Sequence, residues 1–277
     1  MKKIQNMFDL TGRVAVITGG AGLLGPKHAE AIAEYGGIPV LFDKDKPTAE
    51  AKAAEIAKHF GVPALGLGGD ITKSADVERV RQELEERFGR VDILINNAAN
   101  DPKVTNDPNA IPWSRFEQFS EAVWYDDIAV GLTGAFICAK VFGAGMAKRG
   151  QGVILNIASD LGVIAPDQRI YEKEGVSKDK QPVKPVTYSV VKHGLIGLTK
   201  YLATYWARDG VRVNAISPSG VFNNHPKAFV QKLSNLIPLG RMADIEEYKA
   251  AILFLVSDAS SYMTGSNLII DGGKTCW

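Results

Sequence analysis

The chain has 277 residues, 45% of them hydrophobic and 23% charged, with a formal net charge of +1. That is enough apolar material for a large core in one α/β domain, and too little charge excess to mark a nucleic-acid or anionic-membrane partner. Cys138 and Cys276 form no CxxC pair and the four histidines are scattered, so spacing points to no metal cluster and to a cytoplasmic thiol protein. The N-terminus lacks the apolar stretch of a signal peptide, and runs such as 250–256 are too short to span a bilayer.

In chain order, Arg13 to Gly19 is a β-branched strand that ends in glycines and leads into a helix from Pro26 to Tyr35. Strand, glycine loop and helix in that order form the setting in which backbone N–H groups and a helix N-terminus hold a pyrophosphate. A second strand, Ile38 to Phe42, ends at Asp43, eighteen residues past Gly25. A carboxylate there accepts hydrogen bonds from ribose hydroxyls and repels a 2′-phosphate, which favours NAD over NADP, although Lys44 and Lys46 stand close by. Helices are predicted over Thr48 to Phe60 and Lys73 to Phe88, with a third strand from Pro63 that closes at Asp70 and a fourth, Val91 to Ile95, running into Asn96 and Asn97. Residues 100–112 read as a polar surface loop, and the region from Trp113 to Met146 as a long helix. Gly152 to Ala158 is a fifth strand ending at Ser159. Residues 163–185, rich in charge and proline, are a solvated insertion, read either as decoration or as a lid. Val211 to Ser217 is a sixth strand, followed by short helices over Lys227 to Asn235 and Ile245 to Leu255 and a seventh strand from Asn267 to Asp271. Strands alternating with helices imply a single doubly wound parallel sheet spanning 1–277, with ligands at the strands' carboxyl ends.

Between the insertion and the sixth strand, apolar residues at 191, 195, 198 and 202 recur at helical spacing, with Thr187 as the expected N-cap. Tyr188 and Lys192 therefore share one face a turn apart. Of the eight tyrosines, only Tyr188 has a lysine four residues on. An ammonium near a phenol favours the phenolate, so the pair is suited to general acid/base work.

Thr18-Gly19 with Gly25, Asp43, Asp70, Asn96-Asn97-Ala98, Ser159, Tyr188-x-x-x-Lys192, Asn214, Ser217-Pro218 and Asp271-Gly272-Gly273 together resemble the short-chain dehydrogenase/reductase family over the whole chain. The resemblance implies a seven-stranded Rossmann-like subunit, a nicotinamide cofactor, and a homotetramer or homodimer. It assigns Tyr188 as proton exchanger, Lys192 as the residue that lowers the tyrosine's pKa and binds ribose, and Ser159 as the group that orients the carbonyl. It places Gly19, Leu23, Leu24, Gly25, Asp43, Asp70, Ile71, Asn97, Ala98, Tyr188, Lys192, Pro218 and Val221 around the cofactor. The glycine loop and the C-terminal Asp271-Gly-Gly-Lys-Thr-Cys-Trp277 are also similar to bacterial members linked to surface-polysaccharide or flagellin sugar modification.

The chain departs from the family pattern in four places. Gly22-Leu23 displaces the middle loop glycine. Gly131 stands where the family has an asparagine in a water-linked proton relay. Ser219 and Asn223 replace a usual glycine and threonine after Pro218. Twenty-nine residues separate Ser159 from Tyr188 where about a dozen are usual; Tyr171 has that shorter spacing but lacks the lysine, since residue 175 is glycine. The segments 161–185 and 221–236, with Asn223, Asn224, His225 and Lys227, are polar and fit a polyhydroxylated small molecule such as a sugar or nucleotide-sugar. His225 reads as a solvated loop residue or a substrate contact. The competing reading is a protein of this fold that binds NAD without turnover. Apolar Leu268, Ile269, Ile270 and Trp277 suggest a C-terminal contact with another subunit.

Overall fold

The computed structural model describes residues 3–100 and 113–277. The loop expected over 100–112 lies, beyond Asn100, outside the described residues. The elements run β1 (Val14–Thr18), α1 (Gly25–Glu34), β2 (Ile38–Asp43), α2 (Lys46–Phe60), β3 (Leu65–Gly68), α3 (Ser74–Phe88), β4 (Ile93–Asn96), α4 (Glu121–Ile128), α5 (Gly134–Arg149), β5 (Gly152–Ile157), α6 (Val186–Tyr205), β6 (Val211–Pro218), α7 (Lys227–Ser234), α8 (Lys249–Val256) and β7 (Asn267–Ile270). The strands form one sheet in the order β3-β2-β1-β4-β5-β6-β7, and every neighbouring pair is parallel. The seven-stranded doubly wound sheet expected from the alternation is the one observed.

Strand periodicity decides which side each residue serves, because successive side chains leave a strand on opposite faces. Val14, Val16, Val40, Phe42, Leu94 and Ile154 pack with α3, α5 and α6 on one face. Ala15, Ile17, Leu41, Ile93, Ile95 and Leu155 pack with α1, α2 and α8 on the other. Both faces are covered, so the strands read as nearly continuous apolar runs.

Three expectations change in detail. Pro185 precedes α6, and Thr187 does not cap it; the Thr187 hydroxyl donates instead to Asp127, 2.5 Å away. The final helix starts at Lys249 because Glu247 is drawn into a turn by Arg241 and by the Asp244 N–H. The helix expected from Trp113 begins only at Glu121, capped by Ser120, and passes through a π turn at Ala129–Thr133 before continuing as α5. From Glu121 to Arg149 this continuous helix has the length and composition to cross a membrane, which the count of apolar runs did not register. Its Cys138, Phe142 and Met146 lie in the core beneath the sheet.

A buried polar chain ties the sheet to α6. Asn96 Nδ2 donates to Asn156 Oδ1 (2.8 Å), Asn156 Nδ2 to Thr199 Oγ1 (2.8 Å), and Thr199 Oγ1 to Leu195 O (2.8 Å). Removing the middle member strands a buried donor and opens a cavity. Asn156→Ala is expected to destabilise the protein by about 2–4 kcal/mol, read from urea denaturation midpoints at constant m value.

Candidate active site

Strand order reverses between β1 and β4, and a crevice opens where the connections from these two carboxyl ends part to opposite faces. A cavity of about 700 Å³ occupies it. Gly19, Leu23, Leu24, Asp43, Asp70, Ile71, Asn97, Ala98, Ser159, Tyr188, Lys192, Pro218 and Val221 all line this cavity. Gly25 does not. It is buried, and a Cβ there would stand 2.4 Å from Gly19 O, so its role is to let α1 pack against the loop.

At the β1 end the loop backbone is left bare. Gly19 takes φ +63°, and a side chain on it would meet Ala98 Cα at 2.8 Å. Asn97 holds this loop from β4: its Nδ2 donates to Thr18 O (3.0 Å) and Gly19 O (3.1 Å), while the N–H groups of Asn97 and Ala98 donate to Thr18 Oγ1. Asp43 closes β2 by accepting from the N–H of Ala21 (3.0 Å) and of Asp45 (3.0 Å), which fixes its carboxylate at the cavity wall. Asp70 is held below the usual carboxylate range by the Thr72 hydroxyl and then by the Thr72 N–H. Lys44 lines the same end.

At the other end, α6 lies against the carboxyl terminus of β5. Lys192 is buried and its Nζ donates to Ile157 O (2.8 Å); the ammonium sits 5.7 Å from the centre of the Tyr188 ring. Tyr188 Oη donates to Ser159 Oγ at 3.4 Å. The two residues meet although 29 positions separate them, because 163–185 folds outward over the cavity and returns to the start of α6. Lys184, at its end, places its ammonium 3.7 Å over the Tyr188 ring. Ile170 and Tyr171 of this segment pack on Phe229, Leu233 and Met242, so the segment forms a cavity wall together with α7. His225 also lines the cavity, stacked on Phe229 at 5.5 Å. Gly131 sits in the π turn against Val191: a Cβ at 131 would stand 2.5 Å from a Val191 methyl, so Val191 fills the space a larger residue there would need.

Sequence reasoning gave no site role to four residues here, one of which, Ser219, it noted only as a departure from the family pattern. Asp160 is buried beside Ser159 and accepts the Ser159 hydroxyl (2.8 Å), the Ser219 hydroxyl (2.8 Å) and the Lys274 ammonium (2.8 Å). Asp160 adjoins Ser159 in the chain, but Ser219 and Lys274 are 59 and 114 positions away from Asp160, beyond any local pattern. The fourth, His28, lies on α1 just past the glycine loop, 2% exposed, and neither ring nitrogen finds a hydrogen-bond partner among the described residues. Its period on the apolar face of α1 was the available signal. Among the described residues no cluster of His, Cys, Asp or Glu is arranged to hold a metal ion.

With this geometry, the comparisons with known proteins are specific. A family model described as enoyl-(acyl carrier protein) reductase matches residues 21–275. The chain is 35% identical to an NAD-dependent glycerol dehydrogenase of Listeria innocua, over 99% of this chain and 98% of that protein. It is 33% identical to a D-threitol dehydrogenase of Mycolicibacterium smegmatis, over 97% and 95%. The crystal structure of a gluconate 5-dehydrogenase from Burkholderia cenocepacia in complex with NADP and tartrate superposes with a TM-score of 0.85 at 28% identity, covering 99% of this chain and 100% of that one. The chain belongs to the short-chain dehydrogenase/reductase family. It is an oxidoreductase that uses a nicotinamide cofactor.

Burial lowers the pKa of His28 to about 4, with the neighbouring Asn97 side chain opposing the shift. The folded state holds this ring neutral, whereas the unfolded chain takes up a proton below about pH 6.5. The His28 contribution is therefore intact above pH 6.5 and is lost as pH falls towards 4. Urea melts at pH 7 and pH 4.5 are expected to show a drop in stability about 2–3 kcal/mol smaller in His28→Leu than in the unsubstituted protein.

Proposed function

We propose that the cavity is the active centre of an NAD-preferring dehydrogenase of polyols or sugars. The observation that carries this reading is the convergence of Tyr188 Oη on Ser159 Oγ at 3.4 Å, beside the buried ammonium of Lys192. Tyr188 exchanges a proton with the substrate oxygen, Ser159 holds that oxygen in register, and the charge of Lys192 favours the phenolate form of Tyr188. A bound nicotinamide supplies the hydride chemistry.

The residues present fit such a cofactor. The bare backbone of Gly19, with Leu23 and Leu24 at the N-terminus of the ten-residue helix α1, suits a pyrophosphate. Asp43 suits the adenosine ribose, Asp70 and Ile71 the adenine end, and Asn97, Ala98, Lys192, Pro218 and Val221 the nicotinamide riboside. Asp43 supports NAD, while Lys44 beside it is the feature that an NADP-binding protein would use. The polar wall of Asn223, Asn224 and His225 supports a hydroxylated substrate, as do the glycerol and threitol named for the relatives. The segment 163–185 acts as a lid over this substrate. Exposed Phe136, Tyr201 and Tyr205 on α5 and α6, and Ile269 and Trp277 at the C-terminal edge, are read as surfaces that further copies of the chain cover in a homo-oligomer.

The test is formation of NADH from NAD+ with glycerol, D-threitol and mannitol. Turnover is expected on at least one of them, and Tyr188→Phe is expected to lower kcat by about 10²–10⁴-fold while leaving the dissociation constant for NADH within twofold. Unchanged kcat in Tyr188→Phe, or NADH binding with no turnover across polyols and sugars, contradicts the assignment. For the cofactor, Asp43→Ala is expected to weaken NADH binding about tenfold relative to NADPH in fluorescence titrations.

A further inference from the structure

Beyond the reacting residues, the cavity holds a buried cation that the dehydrogenase mechanism does not use. Lys274 is 8% exposed and lines the cavity. The turn that follows β7 aims it there: Asp271 accepts the N–H groups of Gly273 (2.9 Å) and Thr275 (2.7 Å), and Lys274 N–H donates to Asp271 O (3.3 Å). Its ammonium donates to Asp160 Oδ2 at 2.8 Å. That carboxylate is saturated: Oδ2 also accepts from Ser219 Oγ (2.8 Å), and Oδ1 accepts from Ser159 Oγ (2.8 Å) and Leu161 N–H (2.7 Å).

An ammonium has three donors, and one carboxylate oxygen occupies one of them. Among the described residues Asp160 accepts the hydrogen bond of the Lys274 ammonium, and the Asp167 carboxylate on the same cavity wall feels its charge without bonding it, which leaves two N–H groups for the cavity. A nearly buried cation with unmet donors calls for acceptor oxygens from a ligand. Its position says which oxygens. Ser159 and Lys274 are bridged by a single carboxylate, so a substrate oxygen held by Ser159 has the ammonium within reach of an oxygen on the adjoining carbon.

We propose that Lys274 is a substrate-recognition residue that binds a second oxygen, on the carbon next to the one oxidised, so that the pocket selects vicinal diols and 2-hydroxy acids over lone alcohols. This rests on the dehydrogenase reading above. Asp160 gives the cation its fixed position and ties it to the Ser159 hydroxyl.

The test compares 2-butanol, 2,3-butanediol and lactate as substrates, with NAD+, in the unsubstituted enzyme, in Lys274→Met and in Asp160→Asn/Lys274→Met. The double variant leaves no buried charge alone, so it serves where the single one misfolds. In both, kcat/KM for the diol or for lactate is expected to fall at least tenfold further than for 2-butanol. A loss confined to lactate supports the site with a carboxylate as the recognised group; a loss on both supports any neighbouring oxygen. Equal losses on all three overturn the proposal. A second readout needs no turnover: tartrate is expected to raise the melting temperature of the NADH-loaded protein, and Lys274→Met to shift that titration tenfold or more to higher tartrate. If tartrate binds in a Lys274-dependent way but no alcohol reduces NAD+, the dehydrogenase reading fails and the site stands. If tartrate binding is absent or indifferent to Lys274, and no substrate discriminates the variants, the proposal falls.

Discussion

The hydrogen bond from Lys192 Nζ to Ile157 O fastens α6 to the end of β5, and the meeting of Tyr188 with Ser159 depends on it. The approach is close enough that a Cβ at Gly162 would come within 2.8 Å of Lys192 O. This clasp puts Tyr188 over the carboxyl end of the sheet and against Ser159. A buried ammonium donating to a backbone carbonyl is worth more than an exposed one, because the surrounding protein screens it less. The chain between β5 and α6 is then free to vary in length, and 163–185 uses that freedom to build a wall over this end of the cavity.

The parallel sheet supplies the rest of the constraint. With helices on both faces, both sides of every strand are committed to packing, and the carboxyl ends remain as the place where side chains are released for chemistry. Asp43, Asn97, Ser159 and Pro218 all stand at or just past such ends, from β2, β4, β5 and β6. Asn97 shows how little of this is left to chance: one amide side chain spans from β4 to the loop after β1 and fixes the backbone that faces the cavity. The π turn before α5 is a second adjustment, setting Gly131 against Val191 one turn below Tyr188's end of α6.

Most of the fold was legible because its signals are local. Strands such as Val14–Thr18 and Ile93–Asn96 are apolar and β-branched, and Tyr188 and Lys192 carry their helical spacing in the sequence itself. Contacts made through space left no such trace. Thr187 reads as a cap by position, yet Asp127 on another helix takes its hydroxyl. Lys274 stands out in the sequence only as part of the closing Asp271–Trp277 stretch, and the chain reversal after β7 carries it to Asp160. Gly25 fits the loop pattern but serves packing rather than the cavity surface. Helix starts were misplaced at 113 and 245 because side-chain capping by Ser120 and the Arg241–Glu247 pair override the apolar period.

The most direct measurement of the central claim is a crystal structure of the protein with NADH and a polyol bound. The account predicts the nicotinamide ring between Ser159 and Val221, with the polyol's reacting carbon about 3–3.5 Å from the ring carbon that carries the hydride and its oxygen within hydrogen-bond reach of Tyr188 Oη. A nicotinamide bound away from this end of the cavity, or a Tyr188 hydroxyl turned from the polyol, contradicts it.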